Sequence, residues 1–404
     1  MRFVIFFAVL LALLGLVNGY VHHRVSRAFG WGKVGRRRFA WLLAAGMVAT
    51  AATRLTAPLG RWVVLGVGGF GATIQVGALV AFAVLAIDGL LRGVGRLAER
   101  LRRTGGGFAQ LVESVEAPTS DPSSLKGTSP VLTRRGWLER TTAAGALALG
   151  GGSALYGTVF GRTDYAIEEV PLRLEELPPE LDGFTITQLS DLHIGAFVGD
   201  PEMESALALV TQTRPDIITL TGDLLDRDVA YAPMLARFVR RLGEIAPVYA
   251  IPGNHDHYAG IRATLRHLRE GGAEVLLNSH ARIGEGRIVL AGVDDVWGRR
   301  RGRGPDLKRA LYGAGDGPRI LLCHNPVFFP EASGSVDLQL SGHTHGGQFN
   351  PGVRPADLVL PFGYVAGRYT RDASQLYVNR GFGTAGPPAR IGSAPEITKL
   401  VLTT

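Results

Sequence analysis

The chain has 404 residues, one cysteine and a formal net charge of +8. A length of this order predicts two units, at about 150 residues per domain. The single cysteine excludes an intrachain disulfide. The arginines cluster beside apolar runs, and no basic helix interleaved with aromatic residues is visible, so the charge favours membrane orientation over nucleic-acid binding.

Residues 1–115 are predicted to form a transmembrane region. Apolar runs at about 3–20, 39–57 and 62–87 approach the roughly 20 helical residues needed to cross a bilayer. The run 62–87 carries no formal charge and is the strongest candidate. The run 39–57 is weaker because Arg54 would have to reach an interface. The run 3–20 could instead be a signal peptide, but further apolar runs follow it.

Residues 116–136 are predicted to be a basic, Ser/Pro-rich linker without periodicity, for which disorder is the default interpretation. Residues 137–160 then form either a fourth span or an internal anchor that resembles a twin-arginine export signal, because Arg134 and Arg135 precede an apolar stretch. The basic loops after the first and third spans should stay in the cytoplasm. We therefore expect a multi-pass protein of the cell membrane with its second half on the extracytoplasmic face.

From residue 165 to residue 404, short apolar runs alternate with amphipathic segments, which predicts a layered α/β domain. The predicted strands are 184–189, 217–220, 248–251, 288–291, 320–322, 336–340 and 376–378. The predicted helices are 201–213, 232–243, 261–271 and 306–313. Polar clusters follow several strands directly, at the position where open α/β sheets place their ligand sites.

Two histidines one residue apart, His343 and His345, lie in a glycine-bounded turn after such a strand, which suits metal binding better than core packing. Four similar clusters precede them: Asp191-x-His193, Gly222-Asp223, Gly253-Asn254-His255-Asp256 and His324-Asn325. Each alone has an ordinary explanation, such as a turn, a helix cap or a core histidine. Their coincidence favours a metal site, and carboxylates with neutral imidazoles suit Mn, Fe or Zn.

In this order the five clusters resemble the motifs of the calcineurin-like metallophosphoesterases, and their surroundings are similar to the membrane-associated YkuE/YaeI-like phosphodiesterase branch. The resemblance extends from about residue 184 to the C terminus. It implies a layered β-sandwich flanked by helices and two divalent metal ions. The apolar runs before this domain predict an all-α transmembrane region of about four helices, which lies outside the resemblance. The implied metal ligands are Asp191, His193 and His345 for one ion, Asn254, His324 and His343 for the other, with Asp223 bridging them. The implied catalytic residues are His255, as general acid or charge stabiliser, and Asp256, which would orient it.

The sequence thus predicts a membrane-anchored dinuclear metal-dependent phosphoesterase that cleaves a phosphomonoester or phosphodiester by attack of metal-bound hydroxide. Anchoring favours a lipid- or envelope-linked phosphate as substrate. Arg380 and Phe382, with an aromatic segment at 361–364, could line the substrate site or simply anchor loops. The basic loop 297–303 could attract phosphate, touch anionic lipid or be a solvated arginine run.

Two other function classes remain open. One is a catalytically silent scaffold with the same fold, although no implied ligand is missing. The other makes the transmembrane bundle the functional part, as a transporter or sensor, but only Asp88 is acidic near the predicted spans.

Overall fold

A computed structural model describes residues 2–105, 133–359 and 363–404. Most of the predicted linker, and residues 361 and 362 of the aromatic segment, lie outside these ranges. The chain forms two compact units. One contains Met1–Val48 and Thr73–Ala154, and the other contains Ala49–Ala72 and Leu155–Thr404.

The first part of the chain contains long helices in the predicted places. They are α1 (Arg2–Ala28), α2 (Lys33–Ala52), α3 (Arg61–Gly105) and α4 (Arg134–Tyr156). A short π-helix at Gly157–Gly161 follows α4 directly. Three segments are long and apolar enough to cross a membrane: Ala8–Ala28, Arg61–Arg102 and Arg134–Gly161. The second predicted span coincides only partly with α2, which is not among the three and opens with the basic residues Lys33, Arg36, Arg37 and Arg38.

Close helix packing in the helical unit depends on small and polar side chains. A Cβ on Gly150 of α4 would collide with the Gly77 carbonyl oxygen of α3, so the two backbones approach through glycines. Asn18 Nδ2 donates to Gln75 Oε1 over 3.0 Å, and Gln75 Nε2 donates to the Leu43 carbonyl over 3.2 Å. These bonds satisfy Asn18 Nδ2 and the Gln75 amide, which would be costly to bury alone.

The second unit contains two six-stranded sheets. The first sheet has the order β1 (Ala166–Arg173), β12 (Glu396–Thr403), β2 (Thr185–Leu189), β3 (Ile217–Thr221), β4 (Val248–Ile251) and β5 (Glu274–Val275). The second has the order β10 (Gly367–Arg371), β11 (Ser374–Val378), β9 (Leu338–Ser341), β8 (Arg319–Leu322), β7 (Ile288–Gly292) and β6 (Ser279–Ile283). The further helices are α5 (Asp200–Thr213), α6 (Ala232–Gly243), α7 (Asn254–Ala259), α8 (Ile261–Glu270), α9 (Leu307–Ala310), α10 (Phe329–Ala332) and α11 (Ala356–Val359).

Apolar side chains from both sheets form one interior layer. Ile186 and Leu400 of the first sheet belong to the same buried cluster as Leu290 and Leu340 of the second. A second cluster joins the first sheet to α5, α6 and α8. This arrangement confirms the predicted fold class, a layered β-sandwich flanked by helices.

The parallel strands at the centre of each sheet position the site. Strands β2, β3, β4 and β5 run parallel, as do β7, β8, β9 and β11, and all but β5 were predicted. The strands that were not predicted are the edge strands β1, β5, β6 and β10, together with β12, which separates β1 from β2. Predicted helix 306–313 contains only the short α9, which begins after the cap at Asp306 and ends before the glycine-rich stretch 313–317.

Candidate metal centre

All seven predicted metal ligands lie just beyond the carboxyl ends of parallel strands. The first sheet supplies Asp191 and His193 after β2, Asp223 after β3 and Asn254 after β4. The second sheet supplies His324 after β8, and His343 with His345 after β9. Strand ends that point the same way bring these side chains to one edge of the sandwich.

The side chains form two clusters that could each hold a metal ion. The first cluster consists of Asp191, His193 and His345, and all three are buried. In it, His193 Nε2 lies 3.1 Å from His345 Nε2, which is 3.3 Å from Asp191 Oδ1.

The second cluster consists of Asp223, His324 and His343, and only His343 is partly exposed. His324 Nε2 lies 3.2 Å from His343 Nδ1 and 3.3 Å from Asp223 Oδ2. The same Asp223 oxygen lies 3.8 Å from His193 Nε2 of the first cluster. One carboxylate oxygen therefore faces both clusters, where the bridging ligand was predicted.

Hydrogen bonds away from the clusters leave their facing atoms free to bind cations. Asp191 Oδ2 accepts from the Ser190 hydroxyl over 2.6 Å and from His343 N over 2.9 Å, whereas the buried Asp191 Oδ1 accepts no hydrogen bond from the described residues and faces His345 Nε2. His324 Nδ1 donates to the Thr221 carbonyl over 2.8 Å, which directs Nε2 toward Asp223. Asn254 Oδ1 is also buried and lacks a partner within the described part of the chain.

The donor set fits divalent cations. Burial, with the nearby His255 and His345, lowers the pKa of His193 to about 3. Burial and His324 lower the pKa of His343 to about 4, so both rings are neutral near pH 7 and can act as ligands. Facing imidazole nitrogens and carboxylate oxygens at these distances are the hard and borderline ligands that Mn, Fe and Zn prefer.

The backbone around the clusters is strained. Five of the predicted ligands have positive φ: Asp191 (52°), His193 (48°), Asp223 (52°), His343 (74°) and His345 (52°). Non-glycine residues adopt this region rarely, and strain of this kind concentrates at functional sites. A Cβ on Gly342 would overlap the Ser190 hydroxyl and Asp191 Oδ2, which explains the glycine before His343.

His255 lies beside the first cluster, but its partner is not the one that was predicted. His255 Nδ1 is 2.6 Å from the Asp226 carbonyl oxygen and 3.4 Å from Asp226 Oδ1. Burial opposes protonation, but Asp226 and Asp223 outweigh it and raise the pKa of His255. The sequence analysis missed Asp226 as the partner of His255. The only signal for it was its position three residues after Asp223.

The predicted orienting role of Asp256 is wrong. Its carboxylate accepts from the backbone N–H groups of Gly253 (2.8 Å), Leu224 (3.1 Å) and Leu225 (3.0 Å). Asp256 thus joins the loop after β3 to the first turn of α7. It holds the backbones that carry Asp223 and His255, and the His255 ring has a different neighbour.

Arg380 does not fit the predicted substrate role. Its guanidinium forms ion pairs with Glu168 and with Glu396, the latter at 3.0 Å. Phe382 is buried and stacks on Tyr165 with ring centroids 4.3 Å apart, and Tyr364 packs against Phe329. These residues anchor the C-terminal loop, which was the ordinary alternative to an apolar rim.

Arg390 is a second residue that the sequence did not reveal, because no motif surrounds it. Its side chain is 1% exposed, and Nη2 lies 3.1 Å from His345 Nδ1. The guanidinium donates to the carbonyl oxygens of Arg380, Gly381 and Gly383. Arg390 therefore holds the C-terminal loop against the first cluster.

Comparison with known proteins identifies the family. Residues 184–347 match the model of the calcineurin-like phosphoesterases. The protein YkuE of Bacillus subtilis, named an uncharacterized metallophosphoesterase, is 32% identical over 276 residues, which are 64% of this chain and 93% of that protein. The chain belongs to the calcineurin-like phosphoesterase family.

The names of two vertebrate relatives mention both this domain and a transmembrane region. Each is called "transmembrane protein with metallophosphoesterase domain". The Danio rerio protein is 36% identical over 266 residues, 62% of this chain and 60% of that protein. The Bos taurus protein is 34% identical over 59% of this chain and 57% of its own length. This calcineurin-like phosphoesterase therefore matches somewhat more than half the length of these two relatives.

Proposed function

We propose that this calcineurin-like phosphoesterase is a membrane-anchored hydrolase of phosphate monoesters or diesters that works with two divalent metal ions on the extracytoplasmic face. The observation that carries the proposal is the pair of ligand clusters that share the Asp223 carboxylate. A binding scaffold has no need of two preorganised clusters with a strained backbone.

Separate sets of residues would hold the two ions and donate the proton. Asp191, His193 and His345 would hold one ion, and Asn254, His324 and His343 the other, with Asp223 between them. When bound, two divalent ions supply Lewis acidity toward a phosphoryl oxygen and activate water as the nucleophile. His255, with a raised pKa, is the residue positioned to donate a proton to the leaving oxygen or to stabilise its charge. Asp226 would orient the His255 ring.

Contacts within the second unit support this anchoring, because they join loops near the metal centre to residues of the candidate membrane spans. Phe197, in the loop that follows His193, packs so closely on Gly68 that a Cβ there would lie 2.7 Å from its ring. Gly68 belongs to the candidate span Arg61–Arg102. At the start of that span Arg61 Nη2 donates to Glu202 Oε1 over 2.6 Å.

The segment that follows α4 makes a similar contact with a loop near the site. Arg390 N donates to the Gly157 carbonyl over 3.0 Å, and a Cβ on Gly157 would lie 2.6 Å from the Arg390 carbonyl oxygen. Gly157 belongs to the candidate span Arg134–Gly161. Because loops of the metal centre rest on two such segments, a substrate at the bilayer surface, such as a lipid- or envelope-linked phosphate, is favoured.

The distribution of basic residues along the helices supports the extracytoplasmic orientation. Arg24 and Arg92 pair with Asp88, and Arg92 and Arg135 pair with Glu139, so the end of α1, the later part of α3 and the start of α4 form one basic end. The positive-inside rule assigns this end to the cytoplasm. The start of α3 and the end of α4, beside the metal centre, then face the opposite side.

The test uses the full chain purified in detergent and loaded separately with Mn²⁺, Zn²⁺ or Fe²⁺. We expect hydrolysis of p-nitrophenyl phosphate or bis(p-nitrophenyl) phosphate, with faster turnover of a lipid phosphate presented in vesicles. Asp223→Asn serves as the inactive control. Absence of hydrolysis with every metal and every ester would overturn the proposal, and a cytoplasmic reporter signal from a fusion after Thr404 would overturn the orientation.

A further inference from the structure

A large basic cavity lies beside the metal centre and has no part in metal binding. Its volume is about 880 Å³, and it is bounded by α8, by the segment that leads into α9 and by Phe328. Four cationic side chains line it: Arg262, Arg303, Lys308 and Arg309. Only Arg303 belongs to the basic loop noted in the sequence.

The carboxylates of the cavity are already engaged, whereas its cations are not. Asp294 Oδ1 lies 2.8 Å from His257 Nε2, and Asp306 Oδ1 accepts from the Arg309 backbone N–H over 3.0 Å. Glu331 pairs with Arg299 at 2.6 Å. Among the described residues, the four cationic side chains have no ion pair or side-chain hydrogen bond, and they outnumber the three carboxylates that line the cavity.

The wall and floor of the cavity are firmly built. Asn278 Nδ2 donates to the Gly304 carbonyl over 2.9 Å, and Asn278 Oδ1 accepts from Asp294 N and Asp306 N, each over 3.0 Å. The His257–Asp294 pair at the floor has side chains that are only 3% and 6% exposed. One amide thus joins the segments before α9 and after β7, so the cavity does not depend on a loose surface loop.

One short helix connects the cavity to the metal centre. His255 faces the first cluster, and His257 of the same helix α7 lines the cavity. The Tyr258 ring of the same helix lies 5.2 Å from the His255 ring and 5.0 Å from the Trp297 ring, measured between centroids.

We infer that this cavity binds a second anionic group of the substrate, a phosphoryl group separated from the scissile ester by a spacer that crosses Tyr258 and Trp297. Guanidinium groups recognise phosphoryl oxygens with paired N–H donors, and four cationic side chains around one cavity favour an anionic group. This inference rests on the proposed function, because it assigns the second group to the substrate of the same metal centre.

The experiment compares two matched esters on the full, metal-loaded chain in detergent. One series contains alkane-α,ω-diol bisphosphates with spacers from two to ten methylenes, and the other contains the corresponding monophosphates with a free hydroxyl. Both KM and the dissociation constant from calorimetric titration are measured. We expect at least one bisphosphate to bind roughly tenfold more tightly than its monophosphate.

Matched variants locate the effect. Arg303→Gln combined with Lys308→Gln should remove most of that preference while leaving KM for the monophosphate and kcat unchanged. Arg262→Gln should remove part of it. Arg269→Gln changes the same charge on the same helix outside the cavity, and it should leave the preference intact.

The outcomes separate this inference from the proposed function. The cavity assignment would be overturned, even if hydrolysis is observed, by equal affinity for bisphosphates and monophosphates. It would also be overturned if the double variant lost the same amount of affinity for both series. A chain that hydrolyses no ester yet binds the bisphosphates more tightly through Arg303 and Lys308 would support the cavity and overturn the proposed function, because the titration needs no turnover.

Discussion

The two ligand clusters differ in how far they are open to solvent. In the first, Asp191, His193 and His345 are 0%, 2% and 4% exposed, and Arg390 holds the C-terminal loop against them. In the second, His343 is half-buried, as is the neighbouring Asn254. An ion held by the first cluster would therefore be enclosed and slow to exchange, whereas an ion held by the second would lie at the open side where an ester can enter.

Substitution of the carboxylate that faces both clusters should have the largest effect. Asp223→Asn removes a negative charge from each cluster at once, so we expect hydrolysis to fall below detection and the content of both metals to drop. The measurements are kcat and metal analysis of the purified variant. Asp228→Asn, an exposed carboxylate in the same loop, is the matched control, and retention of full activity by Asp223→Asn would contradict the shared role.

Substitution of His255 should affect catalysis without affecting either metal. His255→Ala should lower kcat by about 10²–10⁴-fold, the usual contribution of a positioned general acid, with metal content unchanged. Asp226→Asn should produce a smaller loss in the same direction, because Asp226 acts through His255. Loss of metal from His255→Ala would show that the ring is a ligand instead.

Loss of Arg390 should act on the first cluster alone. Arg390→Met removes the donor near His345 and the bonds that hold the C-terminal loop, so affinity for the first metal should fall by about 10–100-fold. The affinity for the second metal should stay the same, as measured by competition with a chelator. Arg380→Met breaks ion pairs outside both clusters, and it should lower the melting temperature without changing KM.

The His257–Asp294 pair should produce the smallest effect, a dependence of stability on pH. Burial lowers the pKa of His257, but the hydrogen bond and charge of Asp294 outweigh it and raise the pKa above its ordinary value. A histidine whose pKa is higher in the folded than in the unfolded protein stabilises the folded state. The stabilisation is complete below the pKa of the unfolded state, about 6.5, and it is lost as pH rises through the pKa of the folded state.

The melting-temperature difference between the wild type and Asp294→Asn should therefore be larger at pH 6 than at pH 9. The melting-temperature difference between the wild type and His257→Gln should depend on pH in the same way. A difference that stays constant across this range would mean that the ring does not titrate with folding.

The fold and the position of the predicted ligands at strand ends could be predicted because they depend on local signals. Apolar runs that end in polar clusters, such as β3 before Asp223 and β9 before His343, locate both the strands and the chemistry. The edge strand β1 was missed because its sequence, AIEEVPLR, carries carboxylates and a proline that mask the apolar pattern.

The supporting residues could not be predicted because they act over long separations in the chain. Arg390 meets His345 across 45 residues, and Asp256 bonds to Leu224 across 32. Arg380 was assigned to substrate since its partners Glu168 and Glu396 come from β1 and β12, neither of which was predicted. Such contacts become visible only when the strand order is known.

The most direct test of the two-cluster account is metal analysis of the full-length wild type, His343→Ala and His345→Ala after identical loading and dialysis against a chelator. We predict two ions per chain in the wild type, and the second to leave first. His343→Ala should keep the enclosed ion, whereas His345→Ala should lose it. Equal metal content in all three proteins, or identical losses from both variants, would contradict the account.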